Sequence, residues 1–153
     1  MKKTKILIFT GAGVSKESGL DTFRNGDNAL WDNYNIDDVA TDYAWRNNPE
    51  KVIDFYNKRR KEMCGVIPNK AHDIIASLEE KFDVTIVTQN VDNLHEKAGS
   101  TNVIHLHGNI TKLRSDYNCD TKKEYGCDLK NGDVCEEGGQ FRPDIVLFGE
   151  NLD

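Results

Sequence analysis

The apolar residues fall into short runs separated by polar, glycine-punctuated stretches. Lys5 to Thr10 reads KILIFT, and its continuous apolar middle predicts a strand buried on both faces, as in a parallel sheet. Val84 to Thr88 reads VTIVT, a β-branched run suited to a second buried strand. Asn102 to Leu106 predicts a third, shorter strand, and the apolar run in Arg142 to Glu150, RPDIVLFGE, predicts a fourth. Between the strands the period changes. In Pro49 to Cys64 the residues Val52, Phe55, Tyr56 and Met63 recur on one side of a predicted helix. Asn69 to Phe82 predicts another helix, with Asn69 as its cap and Ala71, Ile74, Ile75 and Leu78 as apolar positions. The order strand, helical insertion, strand, helix, strand predicts a doubly wound α/β domain. Lys112 to Phe141 departs from this: it is polar, rich in Asp, Lys, Gly and Cys, and has little periodicity, so it reads as an inserted module.

Composition narrows the classes. The chain of 153 residues is 37% hydrophobic, enough for one domain with a core. A net charge of −6 argues against general binding to a nucleic-acid backbone. No apolar run approaches the ~20 residues that cross a bilayer. Met1-Lys2-Lys3 leads directly into a strand, without the apolar core of a signal peptide. A cytoplasmic protein is expected, and disulfides among Cys64, Cys119, Cys127 and Cys135 are not.

The chemistry concentrates where strands end. Past Thr88 the chain reads Gln89, Asn90, Val91, Asp92, Asn93, and four of these five side chains carry hydrogen-bonding groups. In open α/β sheets ligands sit at the carboxyl ends of strands, so this reads as a cradle for an amide or a polyhydroxylated ligand. The competing reading is that Asn90 or Asp92 simply caps a helix at Leu94 to Ala98. His107 follows the third strand and is a candidate general base; at most one of His105 and His107 is expected to face the cradle. His72 and His95 read as surface or cap residues. Gly11-Ala12-Gly13 follows the first strand, where glycines let backbone N–H groups approach a phosphate. Lys16 stands where the dinucleotide fingerprint has its third glycine, so a tight turn without a ligand fits equally. Gly19 to Tyr34 reads as a long loop in which Thr22, Phe23 and Arg24 offer a hydroxyl, an aromatic face and a charge. Tyr56 and Arg59 share a helix face, so Arg59 is either a solvated charge or half of a pair that holds an anion. Cysteine spacing does not match a structural zinc site: seven residues separate Cys119 from Cys127 and seven separate Cys127 from Cys135, and Cys64 lies on a helix, where it looks buried.

Taken together, GAGVSKESGLDTFR (Gly11 to Arg24), TQNVDNLHEKAG (Thr88 to Gly99), HLHG (His105 to Gly108) and RPDIVLFGE resemble, in order, the motifs of the sirtuins, the NAD-dependent protein-lysine deacylases, here of bacterial type. The resemblance implies a partial doubly wound Rossmann-like parallel sheet with a helical insertion at about 35–68. Residues 1–111 would form the NAD-binding part, 112–141 the small module, and 142–153 a return strand of the Rossmann sheet. It implies NAD as cofactor, with Gly11, Ala12, Gly13 and Ser15 lining its phosphates and Gly19 among the cofactor-binding residues. Thr22, Phe23 and Arg24 would lie in a cofactor loop, and Gln89, Asn90 and Asp92 would surround the nicotinamide and its ribose. Asn90 and Asp92 would be tied to glycosidic cleavage, with His107 as the base that activates a ribose hydroxyl. Val146, Phe148, Gly149 and Glu150 match the segment along which an acyl-lysine peptide adds as a strand. Tyr56 and Arg59 match a Tyr-x-x-Arg pattern that accompanies acidic acyl groups, succinyl or malonyl.

Two departures set further expectations. The family usually carries paired C-x-x-C zinc motifs in the module, and here the cysteines are scattered, so no metal is expected. The family also continues into a segment holding the adenosine half of NAD. A fragment of a longer protein is expected, or else a truncated non-catalytic remnant that keeps the pocket. An NAD hydrolase or ADP-ribosyl transferase would use the same pocket residues.

Overall fold

The computed structural model describes residues 2–20, 34–117, 122–124 and 128–152. Thr22, Phe23, Arg24, Cys119 and Cys127 lie outside these residues. Strands β1 (Lys5–Thr10), β2 (Asp83–Thr88) and β3 (Val103–His105) form a parallel sheet in that order. β1 and β2 pair in register from Lys5 with Asp83 to Thr10 with Thr88, and β2 pairs with β3 from Ile86 with Val103 to Thr88 with His105. The three strand ends therefore stop side by side. Every turn leaving the sheet at this end, Gly11, Gln89 and Leu106, starts from the same edge.

Between β1 and β2 the chain forms a 3-10 helix (Ala12–Ser18) and the helices α1 (Ile36–Val39), α2 (Asp42–Asn47), α3 (Pro49–Cys64) and α4 (Lys70–Ser77). Local chemistry fixes their starts. Asn35, Thr41, Asn48 and Asn69 each cap the helix that follows by accepting from a first-turn N–H, and Pro49 fits the first turn of α3 because its missing N–H would have no partner there. The cap predicted at Asn69 is in place, completed by His72, whose Nδ1 accepts from the Asn69 N–H at 3.3 Å. α3 buries Val52, Ile53, Phe55, Tyr56 and Met63, the face its periodicity predicted, against Trp45, Val91, Leu94, Ile110 and Leu147. Removing that much apolar surface from water, at ~25 cal/mol per Å², is what holds the insertion to the sheet end.

A second sheet follows. β4 (Gly108–Ser115) pairs antiparallel with β5 (Lys122–Glu124) on one side and β6 (Phe141–Ile145) on the other. This corrects the expectation that residues from 142 onward return to the parallel sheet. Arg142 pairs with Arg114, and Ile145 with Gly108, because all five β6 residues are buried against β4. Gly108 makes this possible. Its φ is +83°, and a Cβ there would lie 2.0 Å from the Asp144 carbonyl oxygen.

Other expectations are also revised. β1 is not buried on both faces: Leu7 is 71% and Phe9 60% exposed, and Ile104 of β3 lies on the same exposed side. No described residue covers that face. Ile74 is exposed, since α4 packs through His72 instead, and Cys64 is exposed because it ends α3 beyond the buried turn at Met63. No helix among the described residues is long and apolar enough to cross a membrane.

Candidate functional site

The loop after β2 is pinned residue by residue. The Gln89 N–H donates to Thr10 O at 3.0 Å, and the Asn90 N–H donates to Thr88 Oγ1 at 3.0 Å. The Val91 carbonyl accepts from the Ile110 N–H at 2.9 Å. Asp92 uses both carboxylate oxygens: Oδ1 accepts from the Leu94 N–H at 3.1 Å and Oδ2 from the Ser15 hydroxyl at 2.9 Å. Asn90 Nδ2 donates to the same Ser15 oxygen at 3.1 Å. Ser15, Asn90 and Asp92 are all buried. Asp92 thus accepts from the first N–H of α5 (Leu94–Lys97), whose N-cap is Asn93, while its other oxygen joins Ser15 and Asn90 in a buried polar cluster.

Two histidines brace this loop from β3. His107 Nδ1 lies 3.0 Å from the Gln89 carbonyl oxygen. A carbonyl only accepts, so Nδ1 carries the proton and, in the neutral ring, Nε2 is the basic atom. His105 Nδ1 lies 2.8 Å from the Asn90 carbonyl oxygen and its Nε2 2.7 Å from Glu96 Oε1. Both ring nitrogens of His105 face acceptors. Burial works against its charged form, but the bonds to Glu96 and to Asn90 carry its pKa above the ordinary value. Of these two histidines only His107 lines the cavity described next, as expected.

A cavity of about 470 Å³ opens in front of the loop. It brings together Ala12, Gln89, Asn90 and His107 from the strand ends, Tyr56 and Arg59 from α3, and Val146, Phe148, Gly149 and Glu150 from the segment after β6. Ser15 and Asp92 line a small adjoining cavity of about 20 Å³, together with Ala12, Asn90 and Arg59. Gly11, Gly13 and Gly19 line neither cavity. Gly11 packs near Gln89 Oε1, a Cβ at Gly13 would meet nothing within 4 Å, and Gly19 turns the chain with φ +90°. Ala12–Ser18 form a seven-residue 3-10 helix, which directs Ser15 inward.

Tyr56 is buried, and burial pushes its phenol well above the usual range. Arg59 is neither solvated nor free: its Nη1 donates to Glu62 Oε2 at 2.6 Å. Glu150 lines the cavity, but its carboxylate is committed. Oε2 accepts from Arg114 Nη2 at 2.9 Å, from Arg142 Nη2 at 3.1 Å and from the Leu147 N–H at 2.7 Å. Arg142 also stacks its guanidinium 5.3 Å from the Trp45 ring centroid. The N–H groups of Val146 and Phe148 donate to His107 O and Ala40 O. With Leu147 held by Glu150, the N–H donors of residues 146 to 148 are taken, so an added peptide strand must use other groups of this segment.

Sequence reasoning missed several contributors. Of the two histidines read as surface or cap residues, His72 does complete the Asn69 cap, but neither is at the surface: both are buried, their rings 4.9 Å apart, and His95 Nε2 lies 3.0 Å from Thr10 Oγ1. Arg114, Glu96 and Thr88 carry the bracing described above, and each lies in a segment whose periodicity speaks only of strand or helix. The pairing of Ser15 with Asp92 spans 77 residues and left no local trace. Among the described residues no group of three or more His, Cys, Asp or Glu is arranged to hold a metal ion.

A parallel α/β sheet with polar, pinned turns at its carboxyl end, facing a cavity closed by a second sheet, defines a ligand-binding α/β domain of the kind that takes a nucleotide-like ligand at its strand ends. The sequence model of the Sir2 family matches residues 11–153, and the chain belongs to that family. It is 48% identical over 145 residues to an NAD-dependent protein deacylase of Helicobacter pylori, covering 95% of this chain and 63% of that relative. It is 48% identical over 151 residues to an NAD-dependent protein deacylase of Bacteroides thetaiotaomicron, covering 95% and 64%. Among solved structures, a Sir2 homologue in complex with NAD superposes with a TM-score of 0.83 at 38% identity, covering 99% of this chain and 61% of that one. A Sir2 complex with deacetylated p53 peptide and 3′-O-acetyl ADP-ribose gives 0.75 at 35% identity, covering 98% and 63%. The chain therefore spans less than two thirds of the length of each of these relatives.

Proposed function

We propose that this chain carries the catalytic pocket of an NAD-dependent protein-lysine deacylase. The single observation that carries this reading is the shared cavity. The loop of Gln89 and Asn90 and the imidazole of His107 face the same space as Tyr56, Arg59 and the Val146 to Glu150 segment. An amide-bearing, hydroxyl-rich ligand and an acyl chain can meet there.

The residues fit the nicotinamide half of NAD. Gln89 and Asn90 supply amides, Asp92 a buried carboxylate, and the open space beside Gly13 leaves backbone accessible. When bound, NAD would supply the ADP-ribosyl acceptor and the nicotinamide leaving group. The chain's own residues then divide the work. The Asp92 carboxylate lies next to the small cavity, positioned to stabilise positive charge that develops there, with its orientation set by Ser15 and Leu94. Asn90 orients an amide through Ser15. His107 takes a proton at Nε2, because Nδ1 is held by Gln89. Val146, Leu147 and Phe148 wall off the acyl chain from water. Thr22, Phe23 and Arg24 complete the cofactor side on this reading.

The substrate is an acyl-lysine protein or peptide, with acetyl accepted and an acidic acyl group favoured by Tyr56 and Arg59. Residues 1–111 act as the cofactor-binding part and 112–141 as a small module beside it. The acidic net charge supports action in the cytoplasm, away from nucleic acid and membranes. Incubation of the chain with NAD and a succinyl-lysine or acetyl-lysine peptide, read by mass spectrometry, tests the assignment. O-acyl-ADP-ribose is the expected product. Free ADP-ribose alone would make it a hydrolase, and no turnover by the folded chain would make it a binding remnant.

A further inference from the structure

The cation at the acyl end of the cavity already has an anionic partner. Arg59 Nη1 donates to Glu62 Oε2 at 2.6 Å, one turn further along α3. The Arg59 side chain is 13% exposed and lines the cavity, whereas Glu62, 44% exposed, is outside the lining and reaches the cavity only through its bond to Arg59. Arg59 is the one Lys or Arg side chain among the described residues that line the cavity. The carboxylate in the lining, Glu150, is held by Arg114 and Arg142 rather than by Arg59.

An acyl group that ends in a carboxylate would approach a guanidinium whose charge is partly neutralised. Two carboxylates at one guanidinium repel each other, whereas a neutral acyl group feels neither effect. We propose that Glu62 sets the acyl selectivity of this site, as an internal carboxylate that an acidic acyl group must share or displace at Arg59. This rests on the reading of Tyr56 and Arg59 as the acyl end of the cavity. Exposed ion pairs at this helical spacing are weak, so the effect is graded and Glu62 tunes preference without closing the site.

The test uses the whole chain and one peptide sequence carrying either succinyl-lysine or acetyl-lysine, with Kd read by fluorescence anisotropy. Wild type, Glu62→Gln, Arg59→Met and the double variant are compared, each checked for folding by circular dichroism. Glu62→Gln should raise the succinyl-over-acetyl preference about two- to fivefold, with acetyl-peptide affinity unchanged. Arg59→Met should abolish the preference, and Glu62→Gln should add nothing to it. If Glu62→Gln leaves the ratio unchanged or lowers it while Arg59→Met abolishes it, Glu62 does not compete and the proposal falls, with the acyl-end reading intact. If Arg59→Met leaves the ratio unchanged, the acyl-end reading falls. Folded protein that holds neither peptide overturns both.

Discussion

Glu150 is the junction on which the cavity wall depends, and its removal has a calculable effect. Its carboxylate accepts from Arg114, from Arg142 through both terminal nitrogens, and from the Leu147 N–H. The two arginine side chains are each 6% exposed and Glu150 is 17% exposed. Glu150→Ala takes the shared anion from two buried cations. Removing one member of a buried ion pair costs about 3–5 kcal/mol. Arg142 keeps its bond to Ile145 O and its contact with Trp45, and water can enter beside the partly exposed position, so the lower end, about 3 kcal/mol, is expected. At about 2–4 °C per kcal/mol for a domain near this size, the thermal midpoint should fall by about 6–12 °C. Urea denaturation followed by circular dichroism gives the free energy directly. Glu150→Gln, which keeps an acceptor but not the charge, should fall between the two. A loss below about 1 kcal/mol for Glu150→Ala would place this network with ordinary surface pairs and refute its role in holding residues 146 to 150.

Other perturbations read other parts of the site. Ser15→Ala removes a hydroxyl that serves both Asp92 and Asn90, and should destabilise the fold by about 1–3 kcal/mol in the same denaturation assay. Gly108→Ala would place a Cβ against the Asp144 carbonyl at a positive φ, so β4 and β6 must separate locally; loss of amide-exchange protection at Gly108 and Ile145 is expected. The buried histidines make stability depend on pH. Burial, first of all, lowers the pKa of His72 and of His95 in the folded state. The unfolded chain binds their protons first, so this stability is present above about pH 6.5, the unfolded value, and is lost as pH falls below it. His105 has a raised folded pKa, so its contribution is present below the unfolded value and is lost as pH rises through the folded one. Histidine ring resonances followed by NMR should show His105 titrating above His72 and His95; coincident titration near the unperturbed value would contradict this.

Much of the site was legible because it is local. The run VTIVT followed by Gln89, Asn90 and Asp92 declared a strand end with a cradle, and α3 showed its buried face by period alone. What stayed hidden depends on partners far along the chain. KILIFT reads as buried on both faces, yet burial needs something to pack against, and no described residue lies over Leu7 and Phe9. Arg142 to Glu150 reads as one strand, which the resemblance puts in the parallel sheet, because nothing local shows that Gly108 lets β6 come close to β4. His72 and His95 read as surface or cap residues; the cap at His72 is local and was legible, but each stands on a short helix whose polar flanks conceal that it turns inward.

The most direct measurement is calorimetric titration of NAD into the chain, with Asn90→Ala and His107→Ala proteins alongside. The account predicts a saturable interaction near one to one that Asn90→Ala weakens at least several-fold, by loss of an oriented buried amide. A folded wild-type chain that takes up no NAD, or one whose affinity is indifferent to Asn90, would contradict it.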